Sequence, residues 1–113
     1  MYIASFGKIA EQQRLDDFAL AVHEVLFAGV DHNFDINIYY MDNIDDGACG
    51  FCFLDDDASI NIEINNTLDT REAAITLAHE MVHARQLVNG LDFDEEEAYN
   101  LESVLTETLY MVH

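Results

Sequence analysis

The chain has 113 residues, enough for one domain, and half of them are hydrophobic, which supplies a packed core and argues against disorder. It carries 23 Asp and Glu against 4 Lys and Arg, a formal net charge of -19. Nucleic-acid binding depends on Lys and Arg displacing counterions, so direct binding to DNA or RNA is excluded as an expectation, as is attraction to anionic lipid. No run approaches the ~18–20 apolar residues needed to span a bilayer, and the start Met1 to Lys8 lacks a basic segment followed by an apolar one. The expectation is a soluble cytoplasmic protein with no membrane partner. Its acidity serves solubility or, alternatively, mimics nucleic acid towards a basic partner.

In chain order, apolar residues recur at helical spacing from Lys8 to Gly29 (Leu15, Phe18, Val22, Val25, Leu26), predicting an amphipathic helix. After a polar break at Asp31 to Asn33, the period changes to two, and Phe34, Ile36, Ile38 and Tyr40 predict a half-buried strand. A turn over Asp42 to Gly47 leads to a second strand, Ala48 to Leu54. That strand holds the two cysteines, Cys49 and Cys52. A redox pair of this spacing normally opens a helix, so a strand setting predicts buried, reduced thiols rather than a disulfide or an accessory metal site. Asp55 to Asp57 turn into a third strand with Ile60, Ile62 and Ile64 on one face, and the second and third strands are expected to pair as an antiparallel hairpin.

Asp69 followed by Glu72 has the form of a capping box and opens a helix that stops at Asn89-Gly90. Asp92 and Glu95 repeat the device, and a last helix is expected to run to the C-terminus with a buried stripe of Ala98, Leu101, Leu105, Thr108, Leu109 and Val112. Strands segregated from helices indicate an α+β fold: an N-terminal helix, a three-stranded mostly antiparallel sheet, and two helices in one domain spanning residues 1–113.

The chemistry lies in His79-Glu80-Met81-Val82-His83. Histidines four apart lie a turn apart on one helix face and can reach one ion, and Glu80 beside them can take a proton from water that the metal activates. One Zn²⁺ is the expected cofactor, because imidazole suits it and a catalytic site keeps a position open for water. The helix around the motif is apolar (Ala78, Met81, Val82, Ala84, Leu87), where two bare imidazoles need a reason. A third ligand is available from the next helix, since only eleven residues separate His83 from Glu95. At ~100° per residue, Glu95 and Glu97 flank the buried stripe on opposite sides, while Glu96 points to solvent. Geometry leaves Glu95 and Glu97 tied. Glu102, on the Glu95 side, could orient a ligand histidine.

Ala78 to Gln86 together with Glu95-Glu96-Glu97-Ala98-Tyr99 resembles the gluzincin branch of the zincin metallopeptidases, and most of all the small SprT-like and phage-encoded peptidases with an H-E-x-x-H-x-x-Q helix and an E-x-E-A-Y segment. The likeness covers about residues 48–102. It implies a minimal zincin fold in which an edge strand, here expected over Ile60 to Ile64, holds an extended peptide above the metal. It also implies Glu95 as the third ligand, through the E-x-x-A pattern ending at Ala98, with Glu97 as the alternate, and a phage origin within a host cell. Tyr99 stands where the family has an acidic or amide residue. Such peptidases often polarise the oxyanion with a tyrosine or histidine, which makes Tyr99, His113 and His23 candidates against a reading of packing tyrosine and surface histidines.

The expected function is hydrolysis of a peptide or protein substrate, with Glu80 as general base and His79, His83 and Glu95 on the metal. The alternative is a non-catalytic acidic module, stapled by zinc, that blocks a basic partner.

Overall fold

The computed structural model describes residues 2–42, 48–55 and 58–110. Within them the order is β1 (Ile3–Gly7), α1 (Gln12–Leu26), β2 (Asp35–Met41), β3 (Gly50–Leu54), β4 (Ser59–Asn65), α2 (Thr70–Val88) and α3 (Glu95–Leu105), which runs on into a wider π-helical turn, Thr106–Tyr110. This is a mixed α+β fold. The turns expected over Asp42 to Gly47 and Asp55 to Asp57 fall largely on 43–47 and 56–57, outside the described residues. No described helix is long and apolar enough to cross a membrane.

The sheet has four strands in the order β1-β2-β4-β3, not three. It is not mostly antiparallel either: β1–β2 and β2–β4 are parallel, and only β3–β4 is antiparallel, as the expected hairpin. The extra strand explains the difference. Ile3 pairs with Ile36, and α1 crosses between the two strands, so β1-α1-β2 is a parallel unit whose pairing no local pattern announces. β4 is paired on both sides, which removes Ile60–Ile64 as the edge; the edge beside the helices is β3.

Alternation along β2 and β4 sends Ile36, Ile38, Tyr40, Ile60, Ile62 and Ile64 to one face, where they pack under the helices. Leu15, Phe18, Val22 and Leu26 of α1 close the core from one side, while Val25, expected in the same stripe, is exposed. α2 contributes Ala73, Ala74, Leu77, Ala78, Met81, Val82 and Ala84, so the metal-motif helix lies in the core rather than on the surface.

The last helix departs from the expected phase. A π-turn places one residue more than an α-turn on each revolution, so the face rotates past Leu105, and Thr106 and Tyr110 are buried where Thr108 was expected. Val112 and His113 lie outside the described residues. Both cysteines are free, but only Cys52 is buried; Cys49 at the mouth of β3 is exposed, correcting the expectation of two buried thiols.

Candidate metal centre

α2 is fixed at both ends. The Asp69 carboxylate accepts from the Glu72 N–H at 2.8 Å, the expected cap. At the far end Gly90 adopts φ 71, the Leu91 N–H donates to the Gln86 carbonyl and the Gly90 N–H to that of Leu87, which is a Schellman motif. The chain reverses there and enters α3 two residues later than expected: the N-cap is Asp94, not Asp92, with its side chain accepting from the Glu97 N–H at 3.2 Å. Glu95 is therefore the first residue of α3 and faces the motif.

His79 Nε2 lies 3.0 Å from Glu95 Oε1, and His83 Nε2 lies 3.0 Å from Glu95 Oε2. The two rings meet edge to face, 4.8 Å apart. His79, His83 and Glu95 thus form a group whose candidate ligand atoms all lie within 4.8 Å of one another, and this group could hold a metal ion. Glu97 is turned elsewhere: its Oε1 accepts from Gln86 Nε2 at 2.9 Å and pairs with Arg85 at 3.4 Å. The tie left by helix phase is resolved spatially towards Glu95.

The far nitrogen of each imidazole also faces a side-chain oxygen. His79 Nδ1 faces Glu102 Oε2 at 3.7 Å, where sequence spacing placed a supporting carboxylate. His83 Nδ1 donates to Gln86 Oε1 at 2.8 Å. Gln86, 2% exposed, is the residue whose role sequence reasoning missed. Its Oε1 also accepts from the Asp94 N–H at 3.1 Å, while its Nε2 donates to the Asp94 carbonyl at 3.2 Å and to Glu97. A flipped amide would set its oxygen against two acceptors, so the orientation is determined by the network. The signals for it were its position three after His83, one turn on, and its place as the final residue of the H-E-x-x-H-x-x-Q pattern.

This network decides the chemistry of His83. With Oε1 fixed as an acceptor, Nδ1 must carry the proton, and in the neutral ring Nε2 is then a lone pair. That lone pair points at a carboxylate oxygen 3.0 Å away, an acceptor against an acceptor. A metal cation resolves the conflict, as does a second proton on the ring. Tetrahedral zinc ligands stand ~3.3 Å apart; the two 3.0 Å contacts run to different oxygens of Glu95 and the three candidate ligand atoms lie within 4.8 Å of one another, so the donor set is compatible with one metal ion.

Glu80 is 7% exposed and has no hydrogen-bond partner among the described residues. Burial pushes its carboxyl up to about 7; the charges of Glu95 and Glu102 add to the rise, and His83 opposes it. It lines two clefts that share Gly50, His79 and Glu80: one of about 480 Å³ towards Cys49 and Tyr99, and one of about 260 Å³ towards Phe51 and Phe93. Phe93 stacks on His83 with centroids 4.2 Å apart, and Tyr99 meets His79 at 4.8 Å with its own ring exposed. His23 is not brought to this place. It sits by α1's end, 3.3 Å from His32 and stacked on Phe27.

Comparisons with protein-family models, curated proteins and solved structures find no match for this chain.

β3 forms the wall of both clefts. Its end bonds to β4 run through Cys49 and Asp55, so by antiparallel alternation the residues bonded to β4 are the odd-numbered ones. The backbone groups of this edge that point away from β4 belong to Gly50, Cys52 and Leu54. Gly50 permits the arrangement: a Cβ there would stand 2.7 Å from Thr76 Cγ2 of α2 and 2.8 Å from the Glu63 carbonyl.

Proposed function

We propose that the chain is a zinc-dependent metallopeptidase of the gluzincin type, with His79, His83 and Glu95 as ligands and Glu80 as general base. The observation that carries this reading is a buried, hydrogen-bond-free carboxylate, Glu80, beside two imidazoles and a glutamate converging on one point. No fourth His, Cys, Asp or Glu joins that group among the described residues, which favours an open catalytic position over a closed structural staple.

Zinc, when bound, supplies Lewis acidity, making water acidic near neutral pH and polarising a carbonyl oxygen. The remaining work belongs to the chain. Gln86 holds the His83 imidazole by Nδ1 and Glu102 places its charge 3.7 Å from Nδ1 of His79, which favours presentation of each Nε2 to the metal. The N–H and C=O groups of Gly50, Cys52 and Leu54 that point away from β4 pair with an extended peptide and set its scissile bond across His79 and Glu80. Glu80 takes a proton from the attacking water as its oxygen joins the carbonyl carbon, then delivers that proton to the amine nitrogen as the C–N bond breaks. Tyr99, exposed against His79, is suited to donate its hydroxyl proton in a hydrogen bond to the oxyanion.

The test is Glu80→Gln in the zinc-loaded protein, assayed on a fluorescein-labelled unfolded protein. Zinc affinity is expected to hold while cleavage falls ~10²–10⁴-fold, the usual contribution of a general base. Cleavage at the wild-type rate overturns the role of Glu80. Stoichiometric zinc with no cleavage by the wild type points instead to the acidic binding module.

A further inference from the structure

We infer that the larger cleft, on the Cys49 side of His79, is a subsite for a basic substrate side chain, lysine or arginine, adjoining the bond that is cut; this rests on the peptidase reading above. The cleft opens between the start of β3 and the first turns of α2 and holds about 480 Å³. Ile75 and Thr76 line it, as do the acidic residues Glu72 and Glu102, the latter beside His79. None of the chain's 4 Lys and Arg lines it. A long side chain with an apolar stem and a cationic head matches this division, since lysine and arginine lay methylenes on apolar surface and keep the charge at a polar end. A second observation points to a ligand here. Glu80, 7% exposed and without a hydrogen-bond partner among the described residues, lines the same cleft.

The smaller cleft has a different character. Phe51, Cys52 and Phe93 line it, and its one carboxylate besides Glu80 is the proposed ligand Glu95. A substrate strand along β3 would therefore meet an acidic subsite on one side of His79 and an aromatic one on the other. The net charge of -19 attracts any cationic peptide, so the distinctive consequence is a preference confined to one position.

The experiment uses zinc-loaded protein and a matched peptide series bearing lysine, norleucine or glutamate in turn at each position flanking the scissile bond. Norleucine keeps the stem and removes the charge. At ~0.2–1 kcal/mol for each partly exposed charge pair, two carboxylates give a lysine-to-norleucine ratio in kcat/KM of ~2–30-fold at one position. Glu72→Gln is expected to cut that ratio several-fold, and Glu24→Gln on α1, outside the cleft, to leave it unchanged. Peptides that are cleaved with no positional lysine preference, or a ratio that falls equally in both variants, overturn the subsite and leave the peptidase reading standing. If no peptide is cleaved, the peptidase reading fails, and fluorescence-anisotropy binding of the same peptides to zinc-loaded Glu80→Gln protein decides the subsite: tighter binding of the lysine peptide at one position, weakened by Glu72→Gln, supports it, and equal binding refutes it.

Discussion

Replacing Gln86 by Met keeps the volume of the side chain and removes every hydrogen bond it makes. Four are lost: with His83 Nδ1 at 2.8 Å, with the Asp94 N–H at 3.1 Å, with the Asp94 carbonyl at 3.2 Å and with Glu97 at 2.9 Å. Asp94 and Glu97 can turn to water, so their cost is modest. His83 is 3% exposed, and its stranded Nδ1–H costs ~1–3 kcal/mol. Together the loss comes to about 2–4 kcal/mol, which at this chain length lowers the melting temperature of the metal-free protein by roughly 8–16 °C. The second consequence is chemical. Nothing then fixes the proton on Nδ1, and outer-shell partners of ligating histidines are worth ~10–100-fold in metal affinity. Zinc affinity, read by competition with a chromogenic chelator, is expected to fall by that factor. Gln86→Glu separates the two effects. It keeps an acceptor for Nδ1 but sets a carboxylate against Glu97, so stability falls while zinc affinity stays within ~threefold. If Gln86→Met unfolds more easily yet binds zinc as tightly as the wild type, Gln86 merely clasps the helix hairpin and the tautomer reasoning is wrong.

Glu97→Gln, which leaves Glu95 in place, is expected to change zinc affinity less than ~threefold, whereas Glu95→Gln weakens it by at least ~tenfold; the reverse order in a chelator competition would restore Glu97 as the ligand. Native protein should show one thiol that reacts fast with an aromatic disulfide reagent, Cys49, because burial pushes the Cys52 thiol up and keeps it protonated. Two fast thiols in the folded state would show that β3 does not pack as described. His32 Nδ1 accepts from the Phe34 N–H, and burial lowers both His23 and His32 from 6.5. The unfolded chain therefore takes up protons at higher pH than the folded one, so this pair's stabilisation is complete above about pH 6.5 and declines as pH falls below it. Urea midpoints between pH 7.5 and 5.5 should drop less in His32→Phe than in the wild type; equal drops exclude the pair as the source.

What was legible in the sequence was local. The spacing of His79 and His83, the Asp69 cap, the Gly90 stop and the alternation around Ile62 all express rules that act within one element, and the structure follows them. β1 was hidden because Ile3–Gly7 is short and its register partner begins at Ile36, across a whole helix. Helix phase alone did not separate Glu95 from Glu97, and only the E-x-x-A resemblance favoured Glu95; in the structure Gln86 draws Glu97 aside across a loop. Asp92 and Asp94 are equally able caps, and the clasp of Gln86 on both backbone groups of Asp94 selects the second. The edge strand was misassigned because edge status belongs to the sheet order, not to the strand. The face beyond Leu105 was misjudged because the widened turn shifts the register of a pattern that assumes ~3.6 residues per turn.

The central claim is that His79, His83 and Glu95 bind one metal ion, and the direct test is elemental analysis joined to a zinc titration of protein purified without an affinity tag. One equivalent of zinc per chain is expected, with a raised melting temperature on loading. His83→Ala should abolish both effects. Substoichiometric zinc with no stabilisation on its addition, or full binding retained by His83→Ala, would contradict the claim and with it the catalytic reading built on that site.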